Sequence, residues 1–251
     1  MPTKVVLITG AAIRIGACIA RTFHSKGFDV AISYRSSLTA AQALVDELNA
    51  IRADSASCWP AEMTDQVSVS HLGSDVLAHH KRLDVLVNNA SSFYPTAYGY
   101  STQAQWDDLV GSNLRGAYFL TQQLSAELAA NFGAVVNLTD THADRALPKH
   151  PIYSIAKAGL KAMTKSLAIE LAPHVRANGV SPGAILWPPS LEDDNDPAVE
   201  VGRQKMLAGI PLAKLGKMQD IADTVYFIAC EATYLTGQTI KVDGGRSLRQ
   251  H

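Results

Sequence analysis

The chain has little cysteine, no long apolar run and almost no net charge, and each shortage removes a class of function. Its 251 residues hold three cysteines, Cys18, Cys58 and Cys230, widely spaced and without a CxxC pair. An odd, scattered set without CxxC fits reduced, mostly buried thiols better than disulfides or zinc ligands. The formal net charge is −1, which gives no electrostatic pull toward nucleic acid or an anionic membrane surface. No window approaches roughly eighteen consecutive apolar residues, so no spanning helix is expected. The start, MPTKVVLITG, reads as a strand entering a turn and lacks a secretory h-region with its cleavage site. No His/Cys/carboxylate cluster has metal-ligand spacing, and His142 and His150 read as loop histidines. These shortages predict a cytoplasmic protein with no metal site and neither nucleic-acid nor membrane partners.

What is present is a large apolar content, 47%, against 18% charged residues. That is enough to bury one full core, and no repeat or linker divides the chain, so residues 1–251 read as a single domain. Short apolar runs read as strands at Val5–Thr9, Asp29–Ser33, Ser55–Trp59, Val85–Asn88, Ala134–Thr139, Ala177–Val180 and Thr239–Val242. Stretches of helical period lie between them, among them Leu38–Ile51, Leu114–Asn131 and Tyr153–Leu171. This alternation predicts an α/β fold: one Rossmann-type, doubly wound parallel sheet of about seven strands with helices on both faces. The proline- and acid-rich stretch 182-PGAILWPPSLEDDNDP-197 breaks the pattern, and a substrate lid is expected over about residues 184–208. Its Glu192–Asp194 run reads as solvated lid.

In such sheets a ligand sits beyond the carboxyl ends of the strands, near the switch in strand order. The first strand ends in 9-TGAAIRIGACIA-20, where Gly10 permits a tight turn and Gly16 close helix packing. The helix start then offers free N–H groups to a pyrophosphate. Arg14 stands where a middle glycine is usual and adds a guanidinium. The second strand ends in 33-SYRSS-37: Arg35, Ser36 and Ser37 suit a 2′-phosphate, where an NAD site would place an acid. NADPH is the expected cofactor. Glu62, after the third strand, can accept from an adenine amino group. The turn 88-NNAS-91, with Asn89, Ala90 and Ser91, can lie against the adenosine and ribose.

Tyr153 and Lys157 are one helical turn apart on one face, where the ammonium can lower the phenol pKa and make it a proton donor near neutral pH. Asp140, just upstream, adds an ionisable acid. The three together point to hydride chemistry with a protein-supplied proton. Each also has a plainer reading: Asp140 as a strand-end cap, Arg35 as a solvated arginine, Phe93 as loop packing.

With TG…G, NNA, Asn113, Tyr153/Lys157, 182-PG-183 and 236-TGQTIKVDGG-245 in order, the chain resembles the short-chain dehydrogenase/reductase family over nearly its whole length. Arg14, SYRSS, Asp140 and 90-ASSFYP-95 make it similar to the pteridine reductases and bacterial dihydromonapterin reductases of that family. The resemblance implies an NADPH-dependent reduction of a pterin C=N bond. Tyr153 would be the proton donor, Lys157 would hold the nicotinamide ribose, and Asn113 would sustain a water-linked proton path. Ile15, Tyr34 and Met63 would join the cofactor contacts, and Pro182 and Gly183 would shape the wall beside the carboxamide. Phe93 would stack on the pterin, Ser91 and Arg14 would contact pterin and phosphate, and Trp187 would belong to the lid. The resemblance also implies a homotetramer paired through its long helices. Two other readings stay open: a carbonyl (ketoacyl-type) reductase of the same family, and a non-catalytic NADP-binding sensor.

Overall fold

The run Val5–Ile8 forms the central strand β1, and its four side chains are buried alternately on two faces of a sheet. Val6 and Ile8 pack with Ile19 and Phe23 of α1 (Arg14–Ser25), with α2 (Leu38–Ile51) and with Ile221 and Val225 of α8 (Met218–Tyr226). Val5 and Leu7 point the other way, onto Leu72 of α3 (Gln66–His80), Leu120 and Leu124 of α5 (Gly116–Ala130) and Leu160 of α6 (Pro151–Glu170). A strand covered on both faces has no need of polar alternation, which is why it reads as an unbroken apolar run. Each such leucine contributes about 2 kcal/mol by leaving water.

The computed structural model describes residues 2–188, 191 and 196–249. Among these, seven strands form one sheet in the order β3-β2-β1-β4-β5-β6-β7, all pairings parallel. The remaining strands are β2 Asp29–Tyr34, β3 Ala56–Pro60, β4 Val85–Asn88, β5 Ala134–Leu138, β6 Arg176–Pro182 and β7 Thr239–Val242. The order reverses where β1 lies between β2 and β4, so the loops leaving β1 and β4 part and open a crevice at the carboxyl edge.

Beyond one-residue shifts at the ends of β1, β2, β3 and β5, the boundaries differ from expectation in three places. α6 starts at Pro151, a proline at the first helical turn where its missing N–H costs nothing. β6 runs from Arg176 to Pro182 and carries its last pairing to Val242. The expected helix from Leu114 is preceded by α4 (Gln103–Val110) and a π-helical turn, Gly111–Arg115, which holds Leu114 and Arg115. α7 spans Pro197–Ala208 in the expected lid, whereas Glu192–Asp194 lies outside the described residues. The three cysteines are free but half-buried rather than buried. Among the described residues no helix is long and apolar enough to cross a membrane.

Candidate active site

The ends of β1 and β4 are tied together by side chains. Thr9 Oγ1 accepts from the amides of Asn89 and Ala90, each at 3.0 Å, and Asn89 Nδ2 donates to the carbonyls of Thr9 (2.8 Å) and Gly10 (2.9 Å). Gly10 has φ +61°, and a Cβ there would meet Ala90 Cα at 2.8 Å, so neither the conformation nor the space admits a side chain. Arg14 also lies in the left-handed region, φ +53°. Its backbone keeps the shape a glycine would take while an exposed guanidinium is added, at about 1 kcal/mol of strain. No side chain caps α1, and Ile13, Arg14, Ile15 and Gly16 line the cleft that opens here.

This cleft encloses about 580 Å³. Tyr34, Arg35 and Ser36 line it from the end of β2, Met63 and Glu62 from β3, and Asn89, Ala90 and Ser91 from β4. Pro182 and Gly183 close it from β6, where a Cβ on Gly183 would meet Asp243 Cα at 2.5 Å. Glu62 is already engaged: Oε2 is 2.8 Å from Arg35 Nε, and Oε1 accepts from the Thr64 amide and hydroxyl. Arg35 also reaches Asp108 at 3.6 Å. Glu62, expected to accept from an adenine amine, holds Arg35 and the Thr64 turn in this structure. An uncapped helix start, a glycine turn with no room for Cβ, two guanidinium groups and the Ser36 and Ser37 hydroxyls form a donor set that fits a phosphorylated dinucleotide.

At the other end of the cleft, Tyr153 Oη donates to Asp140 Oδ2 at 2.6 Å. Asp140 Oδ1 accepts from the His142 amide at 2.8 Å and so caps the turn Thr141–Ala143. Asp140 thus caps the turn through one oxygen and meets the Tyr153 hydroxyl through the other. Lys157 Nζ donates to Leu138 O at 2.9 Å and lies 5.8 Å from the Tyr153 ring centroid. Burial pushes the ammonium down to about 8, with the Asp140 charge pulling the other way. Tyr153 contradicts the expected lowering. Burial, then the charge and hydrogen bond of Asp140, hold its phenol well above the ordinary value, and a hydrogen bond with Ser91 only partly offsets them. The lysine lies over the ring, whereas the carboxylate lies on the hydroxyl.

Asn113, in the π-helical turn, stands behind Ser91: its Oδ1 accepts from Ser91 Oγ at 2.6 Å, and its Nδ2 donates to the carbonyls of Ser92 and Leu109, both at 2.9 Å. Phe93 lies edge-on to Tyr153, centroids 4.8 Å apart, and stacks on His150. Trp187 is not brought into the lining. It faces the Arg203 guanidinium of α7 at 5.2 Å, and Ile185 and Leu186 line the cleft instead. Sequence reasoning read His150 only as a loop histidine and passed over Asp108. The signal for His150 was its place immediately before the proline that opens the Tyr153 helix; Asp108 gave none.

A parallel sheet with a glycine turn at its switch point and a buried tyrosine–lysine pair beside it defines a dinucleotide-dependent oxidoreductase. The family model described as enoyl-(acyl carrier protein) reductase matches residues 10–247. The chain belongs to the short-chain dehydrogenase/reductase family, whose reductases use NAD(P)H. It is 36% identical to the 3-oxoacyl-(acyl-carrier-protein) reductase of Staphylococcus aureus over 246 residues, covering 97% of this chain and 98% of that one. It is 33% identical to pteridine reductase 1 of Leishmania tarentolae over 285 positions, covering 97% and 96%. It is also 33% identical to the 3-oxoacyl-(acyl-carrier-protein) reductase of Synechocystis, covering 98% and 97%.

Proposed function

We propose that the chain is an NADPH-dependent pteridine reductase acting on dihydropterins, with dihydrofolate and oxidised biopterin as further substrates. The observation that carries this reading is the 2.6 Å bond between Tyr153 Oη and Asp140 Oδ2. When bound, NADPH supplies a hydride to the carbon of a C=N bond, leaving negative charge on the ring nitrogen. Tyr153 is the group placed to protonate that nitrogen. Once Tyr153 gives up its proton, a phenolate beside the Asp140 carboxylate at this distance is disfavoured, so a proton from solvent must replace it, and Asp140 Oδ2 is placed to relay it. Asp140 and Tyr153 thus act as one coupled proton-delivery pair. Phe93, edge-on to Tyr153 and 57% exposed, offers an open ring face to a flat heterocycle. Ser91 and Arg14 line the same cleft, and Arg35 with Ser36 is set to receive a 2′-phosphate.

A second reading, an NADPH-dependent ketoacyl reductase, is favoured by the higher percentage identity to the Staphylococcus enzyme. Two points weigh against it. The pteridine reductase alignment runs over 285 positions, more than this chain's length, so its lower percentage corresponds to about as many identical positions. An alkoxide formed from a carbonyl also needs no second ionisable acid, which leaves Asp140 with only its cap on the Thr141–Ala143 turn. The deciding assay is NADPH oxidation by the pure protein on dihydromonapterin, dihydrobiopterin, dihydrofolate and an acetoacetyl thioester side by side. Preference for the thioester overturns the pterin reading. Equal efficiency with NADH overturns the role given to Arg35.

For assembly, α5 and α6 present Tyr118, Phe119, Ile155 and Ile169 to solvent, which supports pairing of these helices in a homotetramer. Sedimentation of the pure protein tests it. A cytoplasmic location goes with this reading.

A further inference from the structure

Beside the cleft lies a second cavity of about 310 Å³, walled by the loop that follows β5 and the segment that follows β7. Thr141, His142, Arg145 and Leu147 come from the first wall, Arg246 and Ser247 from the second. No carboxylate is among the described residues that line it. The nearest acids on these segments are engaged elsewhere. Asp144 is ion-paired with Lys161 and with Lys241 (3.0 Å), and Asp243 accepts from the amides of Gly245 (2.9 Å) and Ser247 (2.8 Å). Arg145 Nη1 donates to the Arg249 carbonyl at 2.8 Å and so ties the two walls together. Arg246 is half-buried, and among the described residues its guanidinium has no ion-pair partner.

Drawing a guanidinium partly out of water without a partner costs free energy. Here it faces a cavity that an anion would complete. That cavity begins at the residue after Asp140, whose Oδ2 meets Tyr153 in the cleft and whose Oδ1 fixes the His142 amide in the cavity wall. A molecule with its reacting group at Tyr153 and an acid at its far end has both ends met by one loop.

We propose that this cavity is a subsite for the anionic tail of the substrate, a carboxylate or a phosphate, with Arg246 as its principal contact and Arg145 and His142 beside it. The inference rests on the cleft being the site of reduction, and it narrows the substrate class to molecules with an acid on the tail. Two sources share that chemistry: the glutamate of a dihydrofolate and the phosphate of a phosphopantetheine thioester.

The test is Arg246→Ala, with Arg246→Lys as the conservative partner and unfolding temperature as the check that both fold. KM is measured for dihydrofolate against dihydrobiopterin, and for acetoacetyl coenzyme A against the acetoacetyl thioester of N-acetylcysteamine. Arg246→Ala is expected to raise KM about tenfold for the tail-bearing member of the pair that turns over. The tail-free member should be unchanged, and Arg246→Lys should recover part of the loss. Equal effects on both members overturn the proposal. Turnover of none of the four counts against the reduction reading itself. The subsite is then tested by titrating p-aminobenzoylglutamate and phosphopantetheine into the NADPH-saturated protein. Binding lost in Arg246→Ala supports it, and no binding of either overturns it.

Discussion

Phe93 lies parallel to His150, ring centroids 4.7 Å apart and planes 6° from parallel, while its ring and that of Tyr153 stand at 78° with centroids 4.8 Å apart. The loop after β4 is thereby fixed to the start of the Tyr153 helix, and the Thr96 amide, donating to Lys149 O at 2.7 Å, repeats the tie. One face of Phe93 is covered by His150, while the side chain as a whole stays 57% exposed. An aromatic pair of this kind is worth about 0.5–1.5 kcal/mol. His150→Ala should therefore raise the pterin KM about two- to tenfold with kcat nearly unchanged, and His150→Phe should restore it. Steady-state kinetics of the two variants decide it; identical KM values would show that the stack does not position the ring.

Asp140 carries two loads, a cap on the Thr141–Ala143 turn and the bond to Tyr153. Asn can keep the cap but cannot hold an ionisable proton. Asp140→Asn should reduce pterin turnover about a hundredfold or more while the NADPH dissociation constant stays within about twofold. Single-turnover measurement of NADPH oxidation beside a fluorescence titration of NADPH separates the two. Full turnover in the variant removes Asp140 from proton delivery.

Arg14 sits at φ +53°, a conformation glycine adopts without strain. In Arg14→Gly the released strain, about 1–2 kcal/mol, exceeds the extra entropy glycine gives the unfolded chain, about 0.5–1 kcal/mol. The variant should be as stable as the parent or up to about 1 kcal/mol more so, yet bind NADPH about tenfold more weakly. Urea denaturation and a binding titration give the two signs. A loss of stability would mean that the guanidinium, not the backbone, holds the turn.

Much of the fold was legible because both periods were strong. Val5–Ile8 had to be covered on two faces, and the glycine turn that follows marked the switch-point cleft. The helix boundary near Leu114 was not legible, since a π-helical turn keeps helical composition while shifting the hydrogen-bond step. Within the site, Tyr153, Lys157 and Asp140 were found by spacing on neighbouring elements. Which atom of each faces which was not. Lys157 turned its ammonium to Leu138 O and Asp140 took the phenol, and burial, with the Asp140 charge added, reverses the direction in which Tyr153 titrates. Pairings between separate loops, such as Arg35 with Glu62 and Phe93 with His150, leave no periodic trace in a sequence.

Those two buried groups give the protein without cofactor a distinctive dependence on pH. Burial lowers Lys157 from 10.5 to about 8, so between those values the folded chain holds fewer protons than the unfolded one. Stability must then rise with pH across that window, by up to about 3 kcal/mol from this group. Tyr153 acts in the opposite sense. Its folded pKa is raised, so its contribution is fully present below the ordinary 10.0 and is lost as pH climbs past it. The unfolding free energy should climb from pH 8 toward pH 9, after which the half-buried thiols, Cys230 above all, and then Tyr153 pull it down. Lys157→Met should flatten the climb, and Tyr153→Phe should soften the fall. Urea denaturation of the three proteins across that range measures both slopes. A Lys157→Met curve parallel to that of the parent would mean that the ammonium is solvated rather than buried on Leu138 O.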